Sequence, residues 1–306
     1  MIRNFLFHRV NPQRDKLWDP MDVKLFDQCI QHISRNYQVE LIEELVNSPD
    51  FYKKNHFATI MFDDGYKDNL EFAAPILDKH RVKASFYVVT DCIDQNIPTW
   101  THILEHQFLH TQMRSIDLSA EFISSELTKG TFNTELDRIA FVQKLKPYLK
   151  KLSHSQRDWV LKRVAETFSD VEIPKIMMNW NEVNQLKSAG HYIGSHTCSH
   201  CMLGTMSDEA EISKELIQSR KRIEEQLGHA PLSISYPVGS YNQTTIELSK
   251  AAGYSLGLAV KQDIYKPQRD NLFEIPRIEL YNESWWKTRL RISHTLEKIK
   301  SIIRYR

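Results

Sequence analysis

The chain has 306 residues, 41% hydrophobic and 26% charged, with a formal net charge of +1. This is the profile of an ordinary soluble globular protein and gives nucleic acid no long-range electrostatic attraction. No window approaches the roughly 18 consecutive apolar residues of a membrane span, and four cysteines (Cys29, Cys92, Cys198 and Cys201) make no disulfide framework in a chain this long.

The opening residues, Met1-Ile2-Arg3-Asn4-Phe5-Leu6-Phe7-His8-Arg9-Val10, meet charge before a signal-peptide core could form. They predict a strand at 2–8 and, taken as the native N-terminus, a cytoplasmic protein. Val23, Phe26, Ile30 and Ile33 recur at helical spacing over 22–35. Phe57-Ala58-Thr59-Ile60-Met61-Phe62 is an apolar run without polar alternation, the pattern of a strand covered on both faces. A helix carrying Leu70, Ala73, Ala74, Ile76 and Leu77 follows, then a strand over 84–89. Strand, helix, strand in this order implies a parallel sheet with right-handed crossovers.

From about 92 to 175 the character changes. The stretch is rich in Leu, Lys, Glu, Gln and Ser and contains a single glycine, Gly130. Phe141, Leu145, Tyr148 and Leu152 mark one helix, and Trp159, Val160 and Val164 another. This predicts a helical insertion into an α/β domain. The α/β rhythm returns from about 176, with helices at 181–189 and 208–227, each followed by glycine. Strands are expected at 191–195, 232–236, 254–260 and 273–280.

Two motifs carry chemistry. Asp63-Asp64-Gly65 closes the strand at 57–62, where parallel α/β domains place their ligands. Adjacent carboxylates there are costly unless a cation holds them, although Asp-Asp-Gly is also good turn chemistry. His196-Thr197-Cys198-Ser199-His200 follows the strand at 191–195. Histidines four apart converge on one cation in a helical or tightly turned segment, yet in a chain of 13 histidines the spacing also arises by chance. One Asp and two His leave an open coordination position, the arrangement of a catalytic zinc-like site, and the second aspartate is then a candidate general base. Cys198-x-x-Cys201 overlaps this motif; as a redox pair or half zinc site it lacks a second cysteine pair.

The two motifs resemble those of the polysaccharide deacetylase family, the NodB-homology or carbohydrate esterase family 4 enzymes, which read Thr-Phe-Asp-Asp-Gly and His-(Ser/Thr)-x-x-(Ser)-His. The segments Ala73-Ala74-Pro75-Ile76-Leu77, Ala84-Ser85-Phe86-Tyr87-Val88 and 180–190, and the opening Phe7-His8-Arg9-Val10, also resemble that family. The resemblance spans about two-thirds of the chain, without the insertion and the tail. It implies a distorted (β/α)7-type barrel over 1–281, with Asp63 as general base and Asp64, His196 and His200 binding zinc or another divalent metal (Co, Ni or Mn). It further implies hydrolysis of an acetamide on an N-acetylated glycan, with a backbone N–H near Tyr241 stabilising the oxyanion. Two departures stand out. The family's Arg-x-Pro-Tyr motif is here Ser235-Tyr236-Pro237-Val238, so Arg277 is the candidate to orient Asp63. No histidine stands near 278–282 in place of the family's Leu-x-His, so His8 is the substitute general acid, with His102 and His106 as further candidates. Tyr236 and Trp180 are expected to line the substrate site and Trp100 to form a lid wall; as aromatic residues they suit barrel packing as well.

The insertion suits a cap over the rim of the site or a stabilising decoration. The tail, 282–306, places Ile292, Leu296, Ile299 and Ile303 on one helical face after Trp285-Trp286. Lys287, Arg289, Arg291, Lys298, Lys300, Arg304 and Arg306 make it basic. That pattern suits peripheral contact with a membrane surface, or a last helix packed on the barrel. The oligomeric state has no signal. The favoured reading is an N-deacetylase acting on a polysaccharide, oligosaccharide or lipid-linked precursor. A weakly active glycan binder and an O-acetyl esterase on the same fold are the alternatives.

Overall fold

Side chains of the sheet alternate between two apolar layers, and this alternation aims the chemistry. The computed structural model describes residues 1–48 and 56–295. The first part runs β1 (Ile2–Phe7), α1 (Val23–Asn36), β2 (Gln38–Val39), α2 (Ile42–Leu45) and β3 (Phe57–Phe62). A π-helical turn over Asn69–Ala73 leads into α3 (Ala74–Lys79), β4 (Ser85–Val88) and α4 (Thr90–Gln95). Next come α5 (Trp100–His110), β5 (Ser115–Asp117), β6 (Lys129–Thr131), α6 (Glu135–Leu149) and α7 (His154–Thr167). The last part is α8 (Trp180–Ser188), β7 (Tyr192–Ser195), α9 (Glu209–Leu227), β8 (Ser233–Ser235), α10 (Gln243–Ala251), β9 (Leu256–Leu258), β10 (Ile278–Glu279) and α11 (Trp285–Ile292).

Among the described residues the main sheet has the order β10-β1-β3-β4-β7-β8-β9, with β2 also paired to β3. Every pairing in it is parallel. The sheet curls, and Leu258 of β9 bridges Ile275 in parallel, three residues ahead of β10. This is the expected α/β barrel-type architecture, a curved parallel sheet with helices around it.

Inward-facing Ile2, Phe57, Met61, Tyr87, Leu256 and Leu258 form one apolar cluster inside the curl. Their outward neighbours Phe5, Phe7, Ile60, Phe62, Phe86 and Val88 pack on α1, α3 and α8. Asp22 caps α1 by accepting from the Lys24 and Leu25 amides. Gly194 of β7 is required by close approach, because a Cβ there would meet the Tyr87 ring at 2.4 Å. Three hydroxyls inside the curl share one buried carboxylate. The Glu43 carboxylate accepts hydrogen bonds from Ser85, Tyr87 and Ser233 at 2.6–2.8 Å.

Two expectations change, and the tail follows one of its two readings. The strand expected at 273–280 is reduced to Ile278–Glu279, because Pro276 has no N–H to donate to a ladder. The stretch 92–175, expected to be a helical insertion, is not wholly helical: β5 and β6 form an antiparallel ribbon. Leu104, Phe108, Val142, Leu145, Val160, Val164 and Phe168, with residues of that ribbon, form a cluster of their own. In the tail, Ile292 is fully buried in the core and Trp285 packs edge-on against His32, so the start of α11 lies on the barrel. Leu296, Ile299 and Ile303 lie outside the described residues. No described helix is long and apolar enough to cross a membrane.

Candidate metal centre and active site

The alternation that puts Phe57, Thr59 and Met61 inside the curl carries Asp63 to the same side at the end of β3. Asp64 follows with φ 78°, then Gly65 with φ 88°. Left-handed backbone at a non-glycine residue costs on the order of 1 kcal/mol, and it recurs at Thr197 (φ 67°) and His200 (φ 59°). Strained backbone thus clusters where the two motifs meet.

The motifs do meet. Asp64 Oδ1 lies 3.4 Å from His196 Nε2 and 3.3 Å from His200 Nε2, and all three side chains are buried. One donor atom from each lies within 4.8 Å of the others. Among the described residues Asp64 Oδ1 has no hydrogen-bond partner of its own. His196 Nδ1 is 2.8 Å from the Ser235 carbonyl, which accepts its proton and leaves the Nε2 lone pair free to ligate. A carboxylate oxygen and two imidazole nitrogens facing one point fit a divalent cation with an open position. Burial works against the charge of Asp64, but His196 and His200 outweigh it and hold the carboxyl well below the usual range.

Asp63 is held in a different way. Arg277 Nη1 donates to its Oδ1 at 2.8 Å and Ser235 Oγ donates to its Oδ2 at 3.0 Å. Arg277 is itself fully buried, with Nε donating to the Ala259 carbonyl. Burial raises the Asp63 pKa, yet Arg277 and then His196 outweigh burial and bring it below its ordinary value. The result is an ionised carboxylate with fixed orientation, beside the candidate metal ligands but not among them.

The histidine loop is fastened from α9. Glu215 accepts from the Cys198 and Ser199 amides at 2.9 and 3.0 Å and from Ser199 Oγ at 2.7 Å. Cys198 and Cys201 are free, buried thiols with raised pKa, which suits neither a redox pair nor a metal ligand.

Asp63, Asp64, His196 and His200 open into a cavity of about 180 Å³, also lined by His8, Trp18, Thr101, Lys146, Lys150, Val238, Val260 and Glu279. His8 is therefore at the site, with Nδ1 3.5 Å from Glu279 Oε1. Three expected substrate contacts are not. Tyr236 comes one residue after inward-facing Ser235, so it points outward and is buried with Leu216, Ile246 and Phe273. Tyr241 stacks on Tyr236 at 4.8 Å and donates to Glu274. Trp180 starts an outer helix, where its indole N–H donates to Asp94 at 2.6 Å and Arg222 lies over its ring. Trp100 donates to the His200 carbonyl and braces the histidine loop. His102 packs against Tyr66 and Trp18, His106 Nε2 lies 3.1 Å from the Glu172 carbonyl, and neither lines the cavity.

Ser235, Glu215, Glu279, Val238 and the two lysines were not singled out from sequence. Ser235 had a signal, since it stands in the place of the family's arginine; the others are polar or apolar residues without a local pattern.

Residues 52–257 match the family model described as Polysaccharide deacetylase. The chain belongs to the polysaccharide deacetylase family. YxkH of Bacillus subtilis, which carries a provisional polysaccharide deacetylase name, is 29% identical over 80 residues. That match covers 26% of this chain and 28% of the relative, so the chain spans little more than a quarter of the curated relative it matches. Among solved structures, the Streptococcus pyogenes deacetylase PplD in complex with acetate superposes with a TM-score of 0.63 at 17% identity, covering 95% of this chain and 97% of that one. A de-N-acetylase from Aggregatibacter actinomycetemcomitans gives 0.61 at 15%, over 95% and 99%. IcaB from Ammonifex degensii gives 0.57 at 15%, over 95% and 96%. At such identities these likenesses establish the fold of the family.

Proposed function

We propose that this protein is a metal-dependent hydrolase that removes the N-acetyl group from an amino sugar in a polysaccharide, oligosaccharide or lipid-linked glycan precursor. One observation carries the reading: Asp64, His196 and His200 converge on a point beside Asp63, whose carboxylate is ionised and clamped by Arg277. Family membership and the de-N-acetylases among its structural neighbours support it.

Asp64 Oδ1, His196 Nε2 and His200 Nε2 would hold the ion, zinc by preference, with cobalt, nickel or manganese as alternatives. When bound, such an ion polarises a carbonyl oxygen and lowers the pKa of a water molecule. Asp63 takes the proton of the water that attacks the acetamide carbon. Arg277 and Ser235 keep that carboxylate aimed and ionised, at opposite oxygens. Val238 lines the cavity with its backbone in the left-handed region, so its amide, not that of Tyr241, is the candidate donor to the developing oxyanion. As the C–N bond breaks, the amine needs a proton, and His8, oriented by Glu279, is the candidate donor. Trp18, Thr101 and α6 border the cavity and favour a short glycan or a chain end over an open groove.

We place the enzyme in the cytoplasm. Peripheral membrane contact through 285–306 would bring a lipid-linked substrate to it; in α11 Trp286 is 66% exposed, while Ile292 is committed to the core. The test is acetate release from a panel of N-acetylated saccharides, with and without chelator. Activity should vanish with chelator and return with a divalent metal, and Asp63→Asn should keep the metal and lose turnover. Activity indifferent to chelator would refute the reading.

A further inference from the structure

Most charged groups around the cavity have a close partner among the described residues. Asp64 faces two histidines and Asp63 faces Arg277. Glu279 pairs with His8 and accepts from the Tyr281 hydroxyl at 2.6 Å. Lys146 is engaged with Glu105 at 2.7 Å. Lys150 lines the same cavity and makes no close ion pair among the described residues; the opposite charges that act on it, Glu105 and Glu279, lie farther off. It caps the C-terminal end of α6, with its backbone N–H bonded to the Lys146 carbonyl, so it is held one turn from Lys146 on the same helix face.

Glu105 and Glu279 act on this half-buried ammonium only from beyond ion-pair distance and are already engaged by Lys146 and His8, so covering it with a neutral sugar leaves its charge incompletely compensated, which is costly. An anionic group in the substrate removes that cost, and a compact lysine charge suits phosphate or carboxylate oxygens. We propose that Lys150, assisted by Lys146, forms an anion subsite of the catalytic cavity. The acetylated saccharide then carries a phosphate or carboxylate on the reacting sugar or its neighbour. The inference rests on the deacetylase reading and deepens it by naming the charge of the substrate. The alternative role for Lys150 is to stabilise the end of α6 through the helix dipole.

The experiment compares acetate release by the metal-loaded enzyme from N-acetylglucosamine 1-phosphate, from an N-acetylated disaccharide containing a hexuronic acid, and from neutral diacetylchitobiose. At least one anionic substrate should be preferred in kcat/KM by about tenfold, the effect of one charge-assisted contact. Lys150→Gln should remove most of that preference, Lys150→Arg should retain it, and added salt should weaken it. The phosphate and uronate arms identify which anion is used. A wild type without preference, or a Lys150→Gln variant that slows all three substrates in parallel, would overturn the subsite while leaving the deacetylase reading intact. Calorimetric titration of the metal-loaded Asp63→Asn protein with N-acetylglucosamine 1-phosphate, with and without Lys150→Gln, decides the point independently of turnover. Equal affinity in the two proteins would also refute the subsite.

Discussion

Arg277→Met isolates the clamp on Asp63. Both side chains are almost wholly buried, and their closest atoms are 2.8 Å apart. At an effective dielectric constant of ~20, unit charges at that separation attract by about 6 kcal/mol. Part of this offsets their desolvation, so truncating one partner of such a pair costs about 3–5 kcal/mol of stability. Urea denaturation should show a loss of that order. The stability gap has a definite sign with pH. Asp63 is depressed in the folded state, so the contribution is present above the unfolded carboxylate pKa and is lost as pH falls through the folded value; the gap should narrow in acid. Catalysis should suffer as well, because a general base is worth about 10²–10⁴ in rate. With Arg277 gone, burial dominates and the Asp63 pKa rises, so the acid limb of the kcat/KM profile should move to higher pH. Alkali should then rescue part of the activity, and Arg277→Lys should fall between the two. A Met variant whose pH profile keeps the wild-type shape would refute the clamp, whatever its absolute rate.

Three further outcomes are expected. Glu215→Ala touches no candidate ligand but frees the loop carrying His196 and His200, so metal affinity should fall about 10–100-fold in competition with a chromogenic chelator; unchanged affinity would show that the loop holds itself. His200→Ala should abolish the rise in Tm that a divalent metal produces in the wild type, since binding to the native state alone is what raises it; a persisting rise would remove His200 from the ligand set. Glu43→Ala leaves Ser85, Tyr87 and Ser233 without their shared acceptor inside the sheet and should destabilise the fold by about 2–4 kcal/mol in urea; a loss below about 1 kcal/mol would mean that water replaces the carboxylate.

Much of this was legible in the residue order because the signals are local. A fully apolar run ending in Asp63-Asp64-Gly65 says where a buried parallel strand stops, since side-chain alternation and burial act over a few residues. The helices at 22–35 and 208–227 follow from periodicity and caps for the same reason. The errors are local rules applied past their reach. As an aromatic residue Tyr236 suits a sugar-binding wall, but a strand reverses face at each residue, so Ser235 faces the site and Tyr236 the helix layer. Trp180 lies shortly before the histidine motif in the chain, yet it sits on an outer helix beside Asp94.

By itself the sequence determined the α/β alternation, the two motifs and the types of ligand they offer, because each rests on neighbours within one strand or turn. Only the tertiary structure decided that Arg277 fills the gap left by Ser235, that His8 meets Glu279, and that Lys146 and Lys150 at the end of α6 reach the same cavity. Those contacts join residues far apart along the chain. No pattern in the intervening sequence encodes them; the curl of the sheet and the packing of α6 over it do.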